Sequence, residues 1–236
     1  MSSIAFEEPL MLLKCGDYEF MHSLLTKGEV FLNSIDSYKT IQDKEIGDDW
    51  ENINSVRQAE SISICDNNKN EWKQIASNIP VRSNNRSFGN VYCMYGVRFN
   101  HFQKEPFLHI VPTKVTRKFG DTMVMIFNPV EFINRIKTQL TKLELSIEFR
   151  FVQYYNEKEI DGDVTVFSKR NLFSHQSEFR IFVENIENKS ITVAIGSIED
   201  IAQIIDDKMI KYVRDGKEYI LVASREELSS RDIFGL

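Results

Sequence analysis

Cysteine, proline and glycine are scarce in this chain, with three, five and ten residues among 236. The cysteines, Cys15, Cys65 and Cys93, are odd in number and form no CxxC pair. That excludes a disulfide framework and predicts small core residues in a reducing compartment. Histidine is scarce as well: His22, His101, His109 and His175 show no metal-ligand spacing, so no metal is predicted. Nowhere do about 18 apolar residues follow one another, and the opening MSSIAFEEPLMLLK has no basic start or apolar run of signal length. A soluble, cytoplasmic protein with no membrane partner is expected. Positive charge is not in excess either. Twenty-nine Lys and Arg face thirty-five Asp and Glu, a formal charge of −6, which disfavours sequence-independent binding to a phosphate backbone.

What the chain does have is apolar residues, 42% of the total, enough for a sizeable core in a single domain over residues 1–236. Leu10 to Cys15 predicts a buried strand. Asp17 is placed to cap a helix striped by Phe20, Met21, Leu24 and Leu25 and closed by Gly28, and a second strand, Val30 to Ser34, follows. Next, Asp43, Glu45, Asp48, Asp49 and Glu51 crowd around Ile46, Gly47 and Trp50. The spacing lacks the glycine and the final glutamate of an EF-hand, so a surface loop pinned by Ile46 and Trp50 is expected. Residues Asn67 to Asn90 are rich in Asn, Ser, Lys and Arg, and predict a long polar loop at about 66–90.

Further strands are expected at Ser61 to Cys65, Val91 to Arg98, Phe107 to Val111, Thr122 to Phe127, Phe149 to Tyr155, Ser190 to Ile195 and Glu218 to Ala223. Asn128, Pro129 and Glu131 open a helix whose Ile133, Ile136, Leu140 and Leu143 form one stripe. Ser197 with Asp200 suggests a second capping box ahead of Ile198, Ile201, Ile204 and Ile205, and Ser224 with Glu227 a last helical turn. The irregular mixture, with strands in the majority, argues α+β with a mainly antiparallel mixed sheet and a few packed helices.

The chemistry concentrates at Phe167 to Phe182, FSKRNLFSHQSEFRIF. Glu178 to Glu184 alternate, with Phe179, Ile181 and Val183 on one face and Glu178, Arg180, Phe182 and Glu184 on the other, which predicts a half-buried strand. Ahead of it, Ser168, Lys169, Arg170, His175, Gln176 and Ser177 make a basic loop bearing hydroxyls and amides. A carboxylate at the mouth of a strand, two residues after a glutamine, is a candidate reaction centre. The plain alternative is a solvated ion pair between Glu178 and Arg180, worth little.

An early strand with a basic residue, a helix, a second strand with hydroxyl residues and a late Gln-x-Glu strand resemble the ADP-ribosyltransferase fold. The parts here are Lys14 in LLKCG, Ser34 and Tyr38 in FLNSIDSY, and Gln176 with Glu178 in HQSEFRI. The late Q-x-E-x-R pattern is also similar to one in uncharacterised bacterial and mobile-element proteins. The resemblance implies an enzyme that transfers ADP-ribose from NAD to a macromolecule, as a toxin or phage-defence factor would. Glu178 would then be catalytic, stabilising positive charge on the ribose ring, and Gln176 would help select the acceptor. It further implies that Lys14, Ser34, Tyr38 and Lys169 hold the NAD, Lys14 standing where the family usually has Arg or His.

Two other readings stay open. One is a non-enzymatic inhibitor or adaptor that binds a protein partner through Asp43 to Glu51 and the 66–90 loop. The other is a metal-dependent nuclease built on Asp163 and Glu178-Phe179-Arg180, with Arg where that chemistry uses Lys.

Overall fold

A computed structural model describes residues 7–43, 47–66, 70–83, 87–102, 107–187, 189–205, 208–224, 226 and 228. Its first half runs β1 (Met11–Gly16), α1 (Tyr18–Lys27), β2 (Glu29–Ser34), α2 (Ser37–Thr40), β3 (Ser55–Asp66), β4 (Glu71–Ser83), β5 (Gly89–Val97), β6 (Leu108–Ile110), α3 (Thr113–Lys118), β7 (Thr122–Ile126) and α4 (Pro129–Lys142). The second half runs β8 (Ile147–Phe151), β9 (Gln153–Tyr155), β10 (Gly162–Asp163), β11 (Ser168–Arg170), β12 (Glu178–Glu184), β13 (Ile191–Ala194), β14 (Ala202–Ile205), β15 (Lys208–Arg214) and β16 (Lys217–Ala223). Two 3₁₀ turns, Phe99–Phe102 and Asn171–Gln176, complete it. The class is α+β with mostly antiparallel strands, as the sequence predicts.

Eight strands make the central sheet, in the order β13-β2-β5-β1-β7-β14, with β12 on the other edge of β5 and β8 beyond it. Strand β5 is its pivot. One edge pairs with β12 from Gly89 to Tyr95. The other is divided: β2 pairs at Asn90 and Val91, and β1 at Tyr95 to Val97. Between them, at Tyr92 to Met94, β1 and β2 part, and the sheet opens.

Apolar alternation explains the packing on both sides. Leu12, Val124, Phe179 and Ile181 face α1 and α4, which contribute Met21, Leu24, Phe132, Ile133, Ile136 and Leu140. Leu13, Met123, Met125 and Tyr95 face the other way, onto Phe102 and onto Tyr219 and Leu221 of the small β15-β16-β6 sheet. Helix α4 follows its sequence signature: Asn128 Oδ1 accepts from Glu131 N–H at 3.1 Å, although Leu143 ends the helix exposed. At α1, Gly28 closes the helix at φ 66°, but the Asp17 side chain makes no cap bond. Asp121 Oδ1 takes the Tyr18 N–H instead, at 2.9 Å.

Four expectations are corrected. Residues 71–83 are not a loop but β4, paired with β3 in a long hairpin whose residues are mostly exposed. Its polar composition reflects solvent on both faces, so alternation never arose as a signal. Ile204 and Ile205 belong to strand β14, not to a helix; the β-branched residues pair with Val124 and Met123 of β7. Ser197 Oγ accepts from Glu199 N–H, and Asp200 is drawn to Arg135. Cys65 is half-buried opposite Trp72 on the hairpin rather than in the core. Strand β12 is buried on both faces from Glu178 to Val183. Glu227, the partner expected for Ser224, lies outside the described residues, as do Glu45 and Ile46.

Two tests follow from this packing. A Cβ at Gly28 would lie 2.0 Å from the carbonyl oxygen of Gly196, in a backbone conformation that already disfavours side chains. Gly28→Ala should lose at least about 2 kcal/mol, or roughly 4–8 °C in Tm by calorimetry. The second concerns His101 and His109, whose rings stack at 4.2 Å beside Tyr95, its hydroxyl 2.7 Å from His109 Nε2. Burial, with Arg98 nearby, lowers His101 to about 4, and burial, with His101 nearby, lowers His109 to about 3. Below the ordinary value of 6.5 the unfolded chain takes up protons that these rings refuse. Stability should therefore fall as pH drops from about 6.5 to 5, with a shallower slope when both are replaced by Gln.

Candidate functional site

The site lies where β1 and β2 part. Its centre is the first residue of β12, Glu178, 4% exposed, with Arg180 at 1% two residues on along the same pleat. The guanidinium Nε donates to Glu178 Oε1 at 2.6 Å, and Nη1 donates to Glu51 Oε1 at 2.6 Å. Nη1 also donates to the Val166 carbonyl, and Nη2 reaches Glu51 Oε2 at 3.4 Å. On the other side, Lys169 Nζ donates to Glu178 Oε2 at 3.0 Å and to Gln176 Oε1 at 2.8 Å. This is a buried network of two cations and two carboxylates, not the solvated ion pair of the plain alternative.

Local structure holds each member. Strand β11 carries Lys169 and pairs in parallel with β9, placing Lys169 opposite Tyr154. The Tyr154 hydroxyl accepts the Glu178 backbone N–H at 2.8 Å. Val152 interrupts the β8–β9 run and donates its N–H to the Glu178 carbonyl at 2.9 Å, so the start of β12 is gripped from both sides. Burial opposes the Glu178 anion, but Arg180 and Lys169 outweigh it and hold the carboxyl well below the usual carboxylate range. Burial likewise works against the Lys169 ammonium, and Glu178 and Glu51 raise it above its ordinary value. Glu178 is thus ionised.

A cavity of about 310 Å³ opens here, lined by Lys14, Asn33, Tyr38, Cys93, Lys169, Gln176, Glu178 and Arg180, with Tyr95, Val115 and Phe119 among its apolar walls. A second, of about 600 Å³, shares Lys14, Cys15, Asn33, Tyr38 and Cys93 and extends toward Phe20, Phe31 and Tyr92. Lys14 stands at their junction. Its Nζ donates to the Cys93 carbonyl at 2.9 Å and sits 4.6 Å from the Tyr92 ring centroid. Burial lowers its pKa. Burial, then the Glu178 charge, push the Cys93 thiol up to about 12, and burial first raises Tyr38 well above the ordinary phenol, so both are neutral.

Of the residues singled out from sequence, Lys14, Tyr38, Lys169, Gln176 and Glu178 line the one cavity. Ser34 does not. It alternates with Asn33 and shares the buried pleat of Val30 and Leu32, and Asn33 takes its place in the wall. Asp163 is on β10 in the hairpin sheet, its side chain 84% exposed and paired with Arg57, so the nuclease arrangement is not assembled. The acidic segment turns partly inward. Asp48 accepts from Arg170 at 2.6 Å and Glu51 from Arg180, and both acids are buried, whereas Asp43 and Asp49 stay near the surface with Lys118 and Arg170. Sequence reading missed Asn33 and the roles of Glu51, Arg180 and Tyr154. Only Arg180 carried a signal, its two-residue spacing from Glu178.

Comparison with protein-family models, with curated proteins and with solved structures found no match.

Breaking the network tests its weight. Arg180→Met should cost about 3–5 kcal/mol at neutral pH in denaturant unfolding, because it takes the ion-pair partner from buried Glu51 and leaves Glu178 with Lys169 alone. The cost should shrink as pH falls into the ordinary carboxylate range, where protonating Glu178 removes a charge that the wild-type network holds ionised.

Proposed function

We propose that this chain is an ADP-ribosyltransferase-like protein that transfers ADP-ribose from NAD to a macromolecular acceptor. The observation that carries this reading is the gathering of Lys14, Tyr38, Lys169, Gln176 and Glu178 in the wall of one cavity. They come from α2, β1, β11, β12 and the turn before it, and nothing in a core of this size requires them to meet.

The residues fit an anionic ligand with an aromatic ring. Lys169 and Arg180 are balanced by Glu178 and Glu51, so the positive charge in excess is that of Lys14, and Tyr38, Tyr95 and Phe119 offer flat surfaces. A ligand longer than the first cavity has the second to extend into past Lys14 and Asn33. When NAD is bound, the bond between nicotinamide and ribose breaks, nicotinamide leaves with the bonding electrons, and positive charge develops on the ribose ring. An ionised carboxylate in a desolvated site is the group that stabilises such charge, and Glu178 is held ionised by Arg180 and Lys169. Lys14 would hold the phosphates, and Gln176 would help select the acceptor. The α+β build and a Gln-x-Glu spacing that ends at the first residue of β12 are consistent with the ADP-ribosyltransferase likeness.

A second reading draws on one further observation. Both Glu178 oxygens already receive hydrogen bonds from Arg180 and Lys169, which suits a purely structural network in a partner-binding protein.

Nicotinamide release from NAD, in buffer and in bacterial lysate, separates the two. Wild type should release it, and Glu178→Gln, shown to be folded by circular dichroism, should lose at least about a hundredfold in rate. Expression of wild type should also slow host growth more than expression of the variant. Equal rates in both proteins would remove Glu178 from catalysis, and no release by folded wild type would favour the partner-binding reading.

A further inference from the structure

Residue 177 separates the two acceptors that grip Lys169, and its backbone is unusual. Ser177 has φ 37° and ψ 47°, a left-handed conformation that costs any residue with a Cβ. Serine is not among the residues that adopt it readily. Such conformations persist only where surrounding bonds over-determine them.

Here the bonds are visible. The Ser177 N–H ends the 3₁₀ turn by donating to the Ser174 carbonyl at 3.1 Å. Its hydroxyl donates to the Gly96 carbonyl at 2.8 Å, and its own carbonyl accepts from the Gly96 N–H at 2.8 Å. Ser177 is therefore clasped to β5 twice, through side chain and main chain. Gly96 also leaves room for its neighbour on β8: a Cβ there would lie 2.2 Å from the Phe151 ring.

The consequence falls on its neighbours. Continued as a strand, residues 176 and 178 would share one pleat about 6.6 Å apart, as Glu178 and Arg180 do; here Gln176 instead closes a 3₁₀ turn. One ammonium nevertheless takes both, Gln176 Oε1 at 2.8 Å and Glu178 Oε2 at 3.0 Å. The turn at Ser177 converts the end of a 3₁₀ segment into the start of a strand within one residue and leaves both side chains aimed at Lys169.

We propose that Ser177 is a positioning residue: its left-handed turn and its hydroxyl bond to Gly96 set the Gln176 amide and the Glu178 carboxylate for the reaction. The inference rests on the transferase reading for its kinetic consequence, though not for its geometric one.

Three variants separate the contributions. Ser177→Ala removes the donor and keeps a Cβ. Ser177→Gly removes the donor and relieves the backbone. Ser177→Asn tolerates the left-handed region and restores an N–H donor. The Arg180 Nε–H resonance, read by NMR on ¹⁵N-arginine protein, reports the Glu178 carboxylate without any ligand. Displacement of that resonance in Ala and Gly, with Asn closer to wild type, supports the proposal. So does a fall of at least tenfold in kcat for nicotinamide release at a KM within twofold of wild type. A wild-type resonance in Ala and Gly overturns it, as does a Gly variant that matches wild type in both measures. If the resonance moves while wild type itself releases no nicotinamide, the positioning role stands and the transferase reading fails.

Discussion

The guanidinium of Arg180 is the group on which the rest of the site depends. A buried cation loses several kcal/mol of hydration, and only near-complete pairing offsets that loss. Arg180 achieves it with bonds from three of its nitrogens to two carboxylates and a main-chain carbonyl. Each partner comes from a different part of the chain: Glu178 from its own strand, Glu51 from the segment before the hairpin, and Val166 from the approach to β11. One side chain therefore fixes three segments, and the cavity exists because those segments are held at its edges. Removing this cation would do more than delete a contact, since Glu51 would lose its ion-pair partner and Glu178 would keep only Lys169.

The fold surrounding this network explains why a polar cluster can exist in a sheet that is apolar on both faces. A fully paired β5 would leave no room beside Cys93. Because β1 and β2 take different stretches of the same edge, three residues of β5 have no neighbouring strand there, and Lys14 and Asn33 fill part of the gap. The carbonyl of Cys93 finds its partner in the Lys14 ammonium. Strand pairing thus creates the opening, and charge keeps it polar. Helices α1 and α4 contribute by supporting one side of the sheet, so that the gap does not close by collapse of the apolar face.

Much of this was readable in the chain, for physical reasons that also mark where reading stops. Helix α4 announced itself through Asn128, Pro129 and a three-to-four residue stripe, because its cap and its burial act within a few residues. The β1, α1 and β2 opening was legible in the same way. The hairpin strand β4 was not, since a strand wet on both faces has no reason to alternate, and the isoleucines of β14 matched a helical spacing that pairing with β7 overrode. In the site, Lys169, Gln176 and Glu178 lie within ten residues and could be grouped from sequence. Glu51 could not: its carboxylate meets Arg180 across 129 positions, and its neighbours read only as an acidic patch. The resemblance points to Ser34 for its hydroxyl, yet strand alternation turns that residue away from the cavity and brings Asn33 into its wall.

The parted edge of β5 carries one more implication. Part of the cleft is bordered by main chain, where the Cys93 carbonyl accepts from the Lys14 ammonium. A main-chain carbonyl is common to every residue type, so this acceptor is not removed by replacing a side chain. Substitutions at Tyr92, Cys93 or Met94 change the two faces of the sheet but leave its edge intact. As long as β12 keeps β5 in register, the cleft retains a constant rim around which the other walls are free to diverge.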